Sequence, residues 1–237
     1  MPLPSLRVLQ PAESLGAAED LAGGISLLRS VQASEGPATL RLYRPVPTLA
    51  FGQRDTRLPG FAAAEEASRV HGFEPVIRKA GGRAAAYHRG TLIVDHVAAE
   101  RDAMMRHKAR FTEFGELFVR VFRRLGLEAR IGEIPGEYCP GEHSVRGEAA
   151  DGTPIKLVGT AQRVVQGAWF FSSVVVVEDS EPIRQVLTDV YEAMRIEMDP
   201  STVGAAEDSG VPGVTVESFT RALLEEYAEA YSLEGLG

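Results

Sequence analysis

The chain has 237 residues, of which 44% are hydrophobic and 24% charged, and its net charge is −8. That balance predicts a globular fold with its own core and excludes disorder, while the acidic surplus argues against non-specific nucleic-acid binding, which needs a basic face. A single cysteine, Cys139, excludes an intramolecular disulfide and any thiolate-rich zinc or iron–sulfur centre, and points to a reducing, cytoplasmic compartment.

The N-terminus, Met1-Pro2-Leu3-Pro4, has no basic region followed by an apolar stretch, so no secretory signal peptide is expected. Strictly apolar runs such as residues 174–177 fall far short of the roughly 20 residues that cross a bilayer, and no membrane association is predicted. Residues 12–32 read as a helix despite an awkward Gly23-Gly24 pair inside it. Residues 39–44 alternate up to Pro45 as a strand does, and 47–53 form a second short strand. A helix over 62–71 is stopped by Gly72, and a strand over 74–79 runs into Ala80-Gly81-Gly82. Another strand follows over 92–97. Residues 101–110, with Arg106, His107, Lys108 and Arg110, form a basic stretch that reads as a solvated helix edge or loop, or as a docking patch for an acidic partner.

The clearest helix places Phe114, Leu117, Phe118, Val121, Phe122 and Leu125 on one face, and Gly126 ends it. From 144 to 177 the pattern becomes a strand meander with turns at Asp151-Gly152 and Gln166-Gly167. A second clean helix starts near Ser180-Glu181-Pro182 with Ile183, Val186, Leu187, Val190, Tyr191 and Met194 inward. A last one covers 215–231 with Phe219, Leu223 and Tyr227 inward. Helices lie between groups of strands, not after each one. The fold class is therefore α+β, with mixed, mostly antiparallel sheets flanked by helices, and no linker divides the chain into more than a single domain.

Several motifs are missing. There is no G-x-G-x-x-G, P-loop, H-E-x-x-H or G-x-S-x-G, and the five histidines have no ligand spacing, so no metal site is expected. What remains is local. The segment from Arg78 to Ala84 carries Gly81-Gly82, which is either a plain turn or a loop whose N–H groups approach a ligand. His88 nearby is either a base or a hydrogen-bonded structural residue. Cys139 precedes Pro140-Gly141. Proline predicts an extended cysteine, and Pro140-Gly141 suits the centre of a type II turn that presents the thiol. The alternative is the inert, buried state common to free cysteines.

An ordinary thiol, with a pKa of about 8.5, is only a few per cent thiolate at pH 7, and a neighbouring ammonium raises that fraction. Lys156 is the candidate. On a regular strand Lys156, Val158, Thr160 and Gln162 share a half-polar face, and Ile155, Leu157, Gly159 and Ala161 pack inward. His143, four residues beyond Cys139, is a rival partner for the thiol.

Taken together, these residues resemble the lipoate–protein ligase and octanoyltransferase family, related to biotin–protein ligases. Residues 42–53 look like its first strand pair, 78–92 like its lipoyl-binding loop, and 201–227 like its C-terminal turn and helix. Lys156-Leu157-Val158-Gly159-Thr160-Ala161-Gln162-Arg163 looks like its lysine segment. Tyr138-Cys139-Pro140-Gly141 is most similar to the cysteine-dependent octanoyl-protein amidotransferases. The resemblance implies that Cys139 carries an octanoyl or lipoyl group as a thioester, and that Lys156 orients the acyl carbonyl and supports the thiolate. It also implies that Arg78, Gly81, Gly82, His88, Gly159, Thr160 and Ala161 bind the substrate.

The partners it implies are lipoyl-domain proteins, such as glycine cleavage H protein or 2-oxoacid dehydrogenase E2 subunits, with acyl carrier protein as a further donor. The transferase reading requires no cofactor. A second reading is a lipoate–protein ligase that uses ATP and magnesium, and a third is a non-catalytic relative that binds lipoyl domains or acyl groups. Ligases usually carry two arginines and three glycines in the loop. Lys79 and Arg83 stand here in place of the second arginine and third glycine.

Overall fold

A computed structural model describes residues 2–34 and 36–236; Met1, Glu35 and Gly237 lie outside the described residues. In chain order the elements begin β1 (Ser5–Leu9), α1 (Ala17–Gln32), β2 (Thr39–Tyr43), β3 (Thr48–Phe51) and α2 (Phe61–Val70). They continue with β4 (Glu74–Ile77), β5 (Ala85–Tyr87), β6 (Thr91–Ala99), α3 (His107–Arg124) and β7 (Arg130–Ile131). Then come β8 (Val145–Glu148), β9 (Pro154–Val165), β10 (Ala168–Val176), α4 (Ser180–Met194), α5 (Val216–Ala228) and β11 (Ser232–Glu234).

The large sheet has eight strands in the order β11-β1-β2-β6-β10-β9-β8-β7, and a small sheet has the order β4-β3-β5. The expected α+β class holds. The meander runs antiparallel across β6, β10, β9 and β8, while β1 pairs in parallel with both β2 and β11, and β3 in parallel with β4.

Two cores flank the large sheet. On one face α3 and α5 bury Phe114, Phe118, Phe122, Phe219 and Leu223 against Leu157, Phe171 and Val175. Phe114 and Phe171 stack with centroids 4.2 Å apart. Each such side chain removed from water contributes about 1.5–3 kcal/mol, so this face anchors the sheet. On the other side α2 and α4 pack Ile183, Val186, Val190 and Tyr191 against Leu49, Phe51 and Ala84–Ala86 of the small-sheet region. Between the small sheet and the large one lies the space that becomes the site.

Several boundaries differ from expectation for physical reasons. α1 starts at Ala17, not residue 12, because Gly16 sits at φ 112, where no helix can begin earlier. Its Gly23-Gly24 pair is a close-packing device, since a Cβ at Gly23 would lie 2.2 Å from Arg41 Nη1 and one at Gly24 2.6 Å from Phe170 Cζ. α3 starts at His107, so the basic stretch is split. Arg110 is buried, donating to Gln162 Oε1 and lying 4.6 Å over the Trp169 ring, while Arg106 pairs with Glu100 and Glu113. Lys108 remains exposed. β1, β5, β7 and β11 were not expected; each has five residues or fewer and too little alternation to read.

Candidate active site

A cavity of about 270 Å³ lies over one face of the large sheet. Its floor is a row of small and apolar residues, Gly159 and Ala161 on β9 facing Val174 and Ser172 on β10, with Ile93 and Asp95 on β6 beyond. Regular alternation would not put Lys156 on that wall together with Gly159 and Ala161. A register shift does so. Arg146 pairs with Lys156 but Val145 with Val158, which leaves one extra residue on β9. Leu157 and Val158 both enter the α3 core, and Lys156, Gly159 and Ala161 all face the cavity. The expected face of Lys156, Val158, Thr160 and Gln162 is thus corrected. Thr160 still lines the cavity, at its half-buried edge.

Cys139 arrives on the loop between β7 and β8. The type II chemistry sits earlier than expected, at Pro135-Gly136, where Gly136 has φ 82 and Glu137 N–H donates to Ile134 O at 3.0 Å. Cys139 itself has φ 42, the left-handed region, in place of the extended conformation predicted for a residue before proline. That conformation costs a non-glycine residue about 1–2 kcal/mol and persists only where its surroundings over-determine it.

The surroundings are explicit. Cys139 N–H donates to Tyr191 Oη at 2.7 Å, and that hydroxyl donates to Ala84 O at 2.9 Å. Burial pushes the Tyr191 phenol well up from its ordinary range, with the neighbouring Cys139 acting the same way, so it remains a donor. Lys156 Nζ donates to Cys139 O at 2.8 Å, to Tyr138 O at 2.9 Å and to Glu137 Oε1 at 3.2 Å. Glu137 is fully buried and also accepts from Ser144 Oγ at 2.6 Å and Gly141 N–H at 3.1 Å. Neither Glu137 nor Tyr191 stood out in the sequence.

The thiol's own neighbours come from the glycine loop. Sγ accepts from Arg83 N–H at 3.2 Å and from Arg78 Nη2 at 3.4 Å, and the same Nη2 donates to Arg83 O at 2.6 Å. Gly82, at φ 104, makes this approach possible, since a Cβ there would lie 2.8 Å from Sγ and 2.4 Å from Arg78 Nη2. Gly81 has open space around it and does not line the cavity. Lys156 makes no contact with Sγ; an ammonium has three N–H donors, and these go to Glu137, Tyr138 and Cys139 oxygens.

The histidines fall outside these contacts. His88 is buried away from the cavity, accepting from Gly90 N–H at Nδ1 and bonding Asp179 O through Nε2, with Phe73 stacked against it. It closes the turn into β6. His143 lines the cavity, stacks on Phe111 at 5.1 Å and faces Glu142. Among the described residues no group of three or more His, Cys, Asp or Glu is placed to hold a metal ion.

Chemically, the arrangement offers a strained, half-buried thiol under a backbone N–H and a guanidinium, lining an apolar cavity. A nucleophile placed this way suits acyl transfer. The lipoyl protein ligase A/B catalytic domain matches the chain over residues 17–228. Octanoyl-GcvH:protein N-octanoyltransferase of Exiguobacterium sibiricum is 31% identical over 68% of this chain and 57% of its own length. The enzyme of the same name from Exiguobacterium sp. is 28% identical over 92% of this chain and 80% of its own length. The crystal structure of lipoate-protein ligase A bound with ATP superposes with a TM-score of 0.74 at 20% identity, covering 100% of this chain and 90% of that one, a likeness of fold. Because the match runs from the first residue of α1 to the last of α5, and so through every strand of the cavity floor, the chain belongs to the lipoyl protein ligase A/B catalytic domain family.

Proposed function

We propose that this protein moves octanoyl groups between lipoyl-domain proteins through a thioester on Cys139. The observation that carries the reading is the held geometry of Cys139, with φ 42 and Sγ beneath Arg83 N–H and Arg78 in the lining of the cavity. The Exiguobacterium relatives, octanoyl-GcvH:protein N-octanoyltransferases, support glycine cleavage H protein as donor, and the acceptors in this reading are lipoyl domains such as those of E2 subunits.

The steps balance without a cofactor. Cys139 Sγ attacks the carbonyl carbon of the donor's octanoyl-lysine amide, giving a tetrahedral oxyanion. Arg83 N–H and Arg78 are the nearest donors for the charge that develops there. The C–N bond breaks and the departing lysine amine takes the proton that the thiol gave up. An acceptor lysine amine then attacks the thioester, the C–S bond breaks, and the proton returns to sulfur. Lys156 and Glu137 act as positioning residues that hold the Cys139 turn. The acyl chain enters the cavity, gaining about 0.8 kcal/mol for each methylene buried.

No helix among the described residues is long and apolar enough to cross a membrane. With these partners the reaction belongs in the cytoplasm. The test supplies octanoyl-GcvH and an apo lipoyl domain without nucleotide, against free octanoate with ATP and magnesium. Transfer in the first arm alone is the expected result. Modification only in the second makes the protein a ligase, and binding without turnover in either makes it a non-catalytic relative.

A further inference from the structure

The cavity is apolar along its floor but not at its inner end. Arg41 on β2 and Asp95 on β6 are cross-strand neighbours whose side chains form an ion pair, 10% and 2% exposed. Arg41 is fixed further by a bond from Nη2 to Asp20 O at 2.7 Å and by its place 4.5 Å over the Tyr43 ring. Asp95 Oδ1 accepts no hydrogen bond among the described residues. Both residues line the cavity. The Gly23-Gly24 pair of α1 closes over them, since a Cβ at Gly24 would lie 2.6 Å from Phe170 Cζ and 3.4 Å from Asp95 Oδ2.

The sheet register supplies a scale. Ala161, Ser172, Asp95 and Arg41 are successive partners across β9, β10, β6 and β2. Strands lie about 4.8 Å apart, so across the sheet Asp95 is about 10 Å and Arg41 about 14 Å from Ala161, and Lys156, which holds Cys139, lies back along β9 from that row. An octanoyl chain has seven carbon–carbon bonds, each advancing about 1.2 Å when extended, and spans about 9 Å. A chain laid along the floor from Cys139 past Gly159 and Ala161 runs toward the Asp95 row, where the buried pair closes the cavity. A chain that outgrows the floor would have to enter the ion pair and separate its buried charges, which costs more than the added methylenes gain.

We propose that the Arg41–Asp95 pair is the end-stop of the acyl cavity and sets its upper chain-length limit. This rests on the reading of the cavity as an acyl site, so the test needs a readout that does not require turnover. Free hexanoate, octanoate, decanoate and dodecanoate are titrated calorimetrically into the whole protein, and acyl loading from GcvH carrying the same four chains is followed by intact mass. In the unaltered protein affinity rises to octanoate and falls at least tenfold by dodecanoate. The Arg41→Met/Asp95→Leu double variant, which replaces the pair with apolar groups, raises dodecanoate relative to octanoate at least tenfold in both readouts.

Gly24→Ala, which leaves the pair in place and crowds Phe170 in the cavity lining, shifts the optimum toward hexanoate. It keeps the proposal open to refutation if the double variant fails to fold. An unaltered length profile in folded variants, or native binding of dodecanoate as tight as octanoate, overturns the end-stop while leaving the acyl reading intact. Failure of every acid to bind and every chain to load overturns the acyl reading itself, and the end-stop with it.

Discussion

Lys156→Met tests whether the lysine is a structural clamp on the nucleophile. Its Nζ is enclosed by Glu137 Oε1, Tyr138 O and Cys139 O, with side-chain exposures of 1% for Lys156 and 0% for Glu137. Methionine keeps the length and apolar stem but leaves Glu137 without a counter-charge and two carbonyls without a donor. Breaking a buried ion pair from one side costs about 3–5 kcal/mol. At about 2–4 °C per kcal/mol for a chain of this size, the melting temperature falls by roughly 6–20 °C. The Lys156→Met/Glu137→Gln double variant removes the stranded carboxylate and recovers at least about 1 kcal/mol relative to additivity, as directly contacting residues do. Urea unfolding with an unchanged m-value measures both quantities. A single-variant cost below about 1 kcal/mol, with additivity in the double variant, would refute the clamp.

Three further outcomes follow from the same geometry. Tyr191→Phe leaves Cys139 N–H and Ala84 O unpaired, at about 1–3 kcal/mol for each buried group, and slows acyl loading of Cys139; unchanged stability and unchanged loading would contradict the assigned role. Gly82→Ala forces a Cβ against Sγ and Arg78, so loading falls at least hundredfold while far-UV circular dichroism keeps its native shape; loading within threefold of native would overturn the close-approach argument. Burial, with Arg110 acting in the same direction, pulls His96 down from its ordinary 6.5 to about 3, so the folded protein holds it neutral where the unfolded chain protonates it. Its contribution to stability is whole above about pH 6.5 and is lost as pH falls toward 3, about 2 kcal/mol between pH 7 and 5. His96→Leu should flatten the stability–pH curve by that amount, and an unchanged slope would contradict it.

How far the fold was legible depended on periodicity. α3, α4 and the β8–β10 meander were readable because each presents one clean apolar face or alternation over many residues. β5, with only Ala85-Ala86-Tyr87, carries no such signal, and it is identified as a strand only by its pairing with β3. In the site, Cys139, Lys156 and the glycine loop were legible as motif residues, and the structure gathers Arg78, Gly82, Gly159, Thr160 and Ala161 around them. His88 was drawn in by adjacency in sequence, but its ring turns to Gly90 and Asp179.

Other features had no local signature. The register shift beside Lys156 is a property of the β8–β9 pairing and not of the lysine segment. Tyr191 reads as a core position of α4, and only tertiary contact brings its hydroxyl to the cysteine. Glu137 lies two residues before Cys139, but only the fold buries its carboxylate against Lys156, and nothing local in the sequence marks it.

The thioester reaction requires that Cys139 itself carry the acyl group. The most direct measurement is the intact mass of the protein after brief mixing with octanoyl-GcvH in the absence of an acceptor, followed by peptide mapping. The predicted result is one octanoyl increment on Cys139 that hydroxylamine removes and an added apo lipoyl domain discharges, with Cys139→Ala showing neither the increment nor transfer. Native rates of transfer by Cys139→Ala would contradict the thioester and with it the reading of this site.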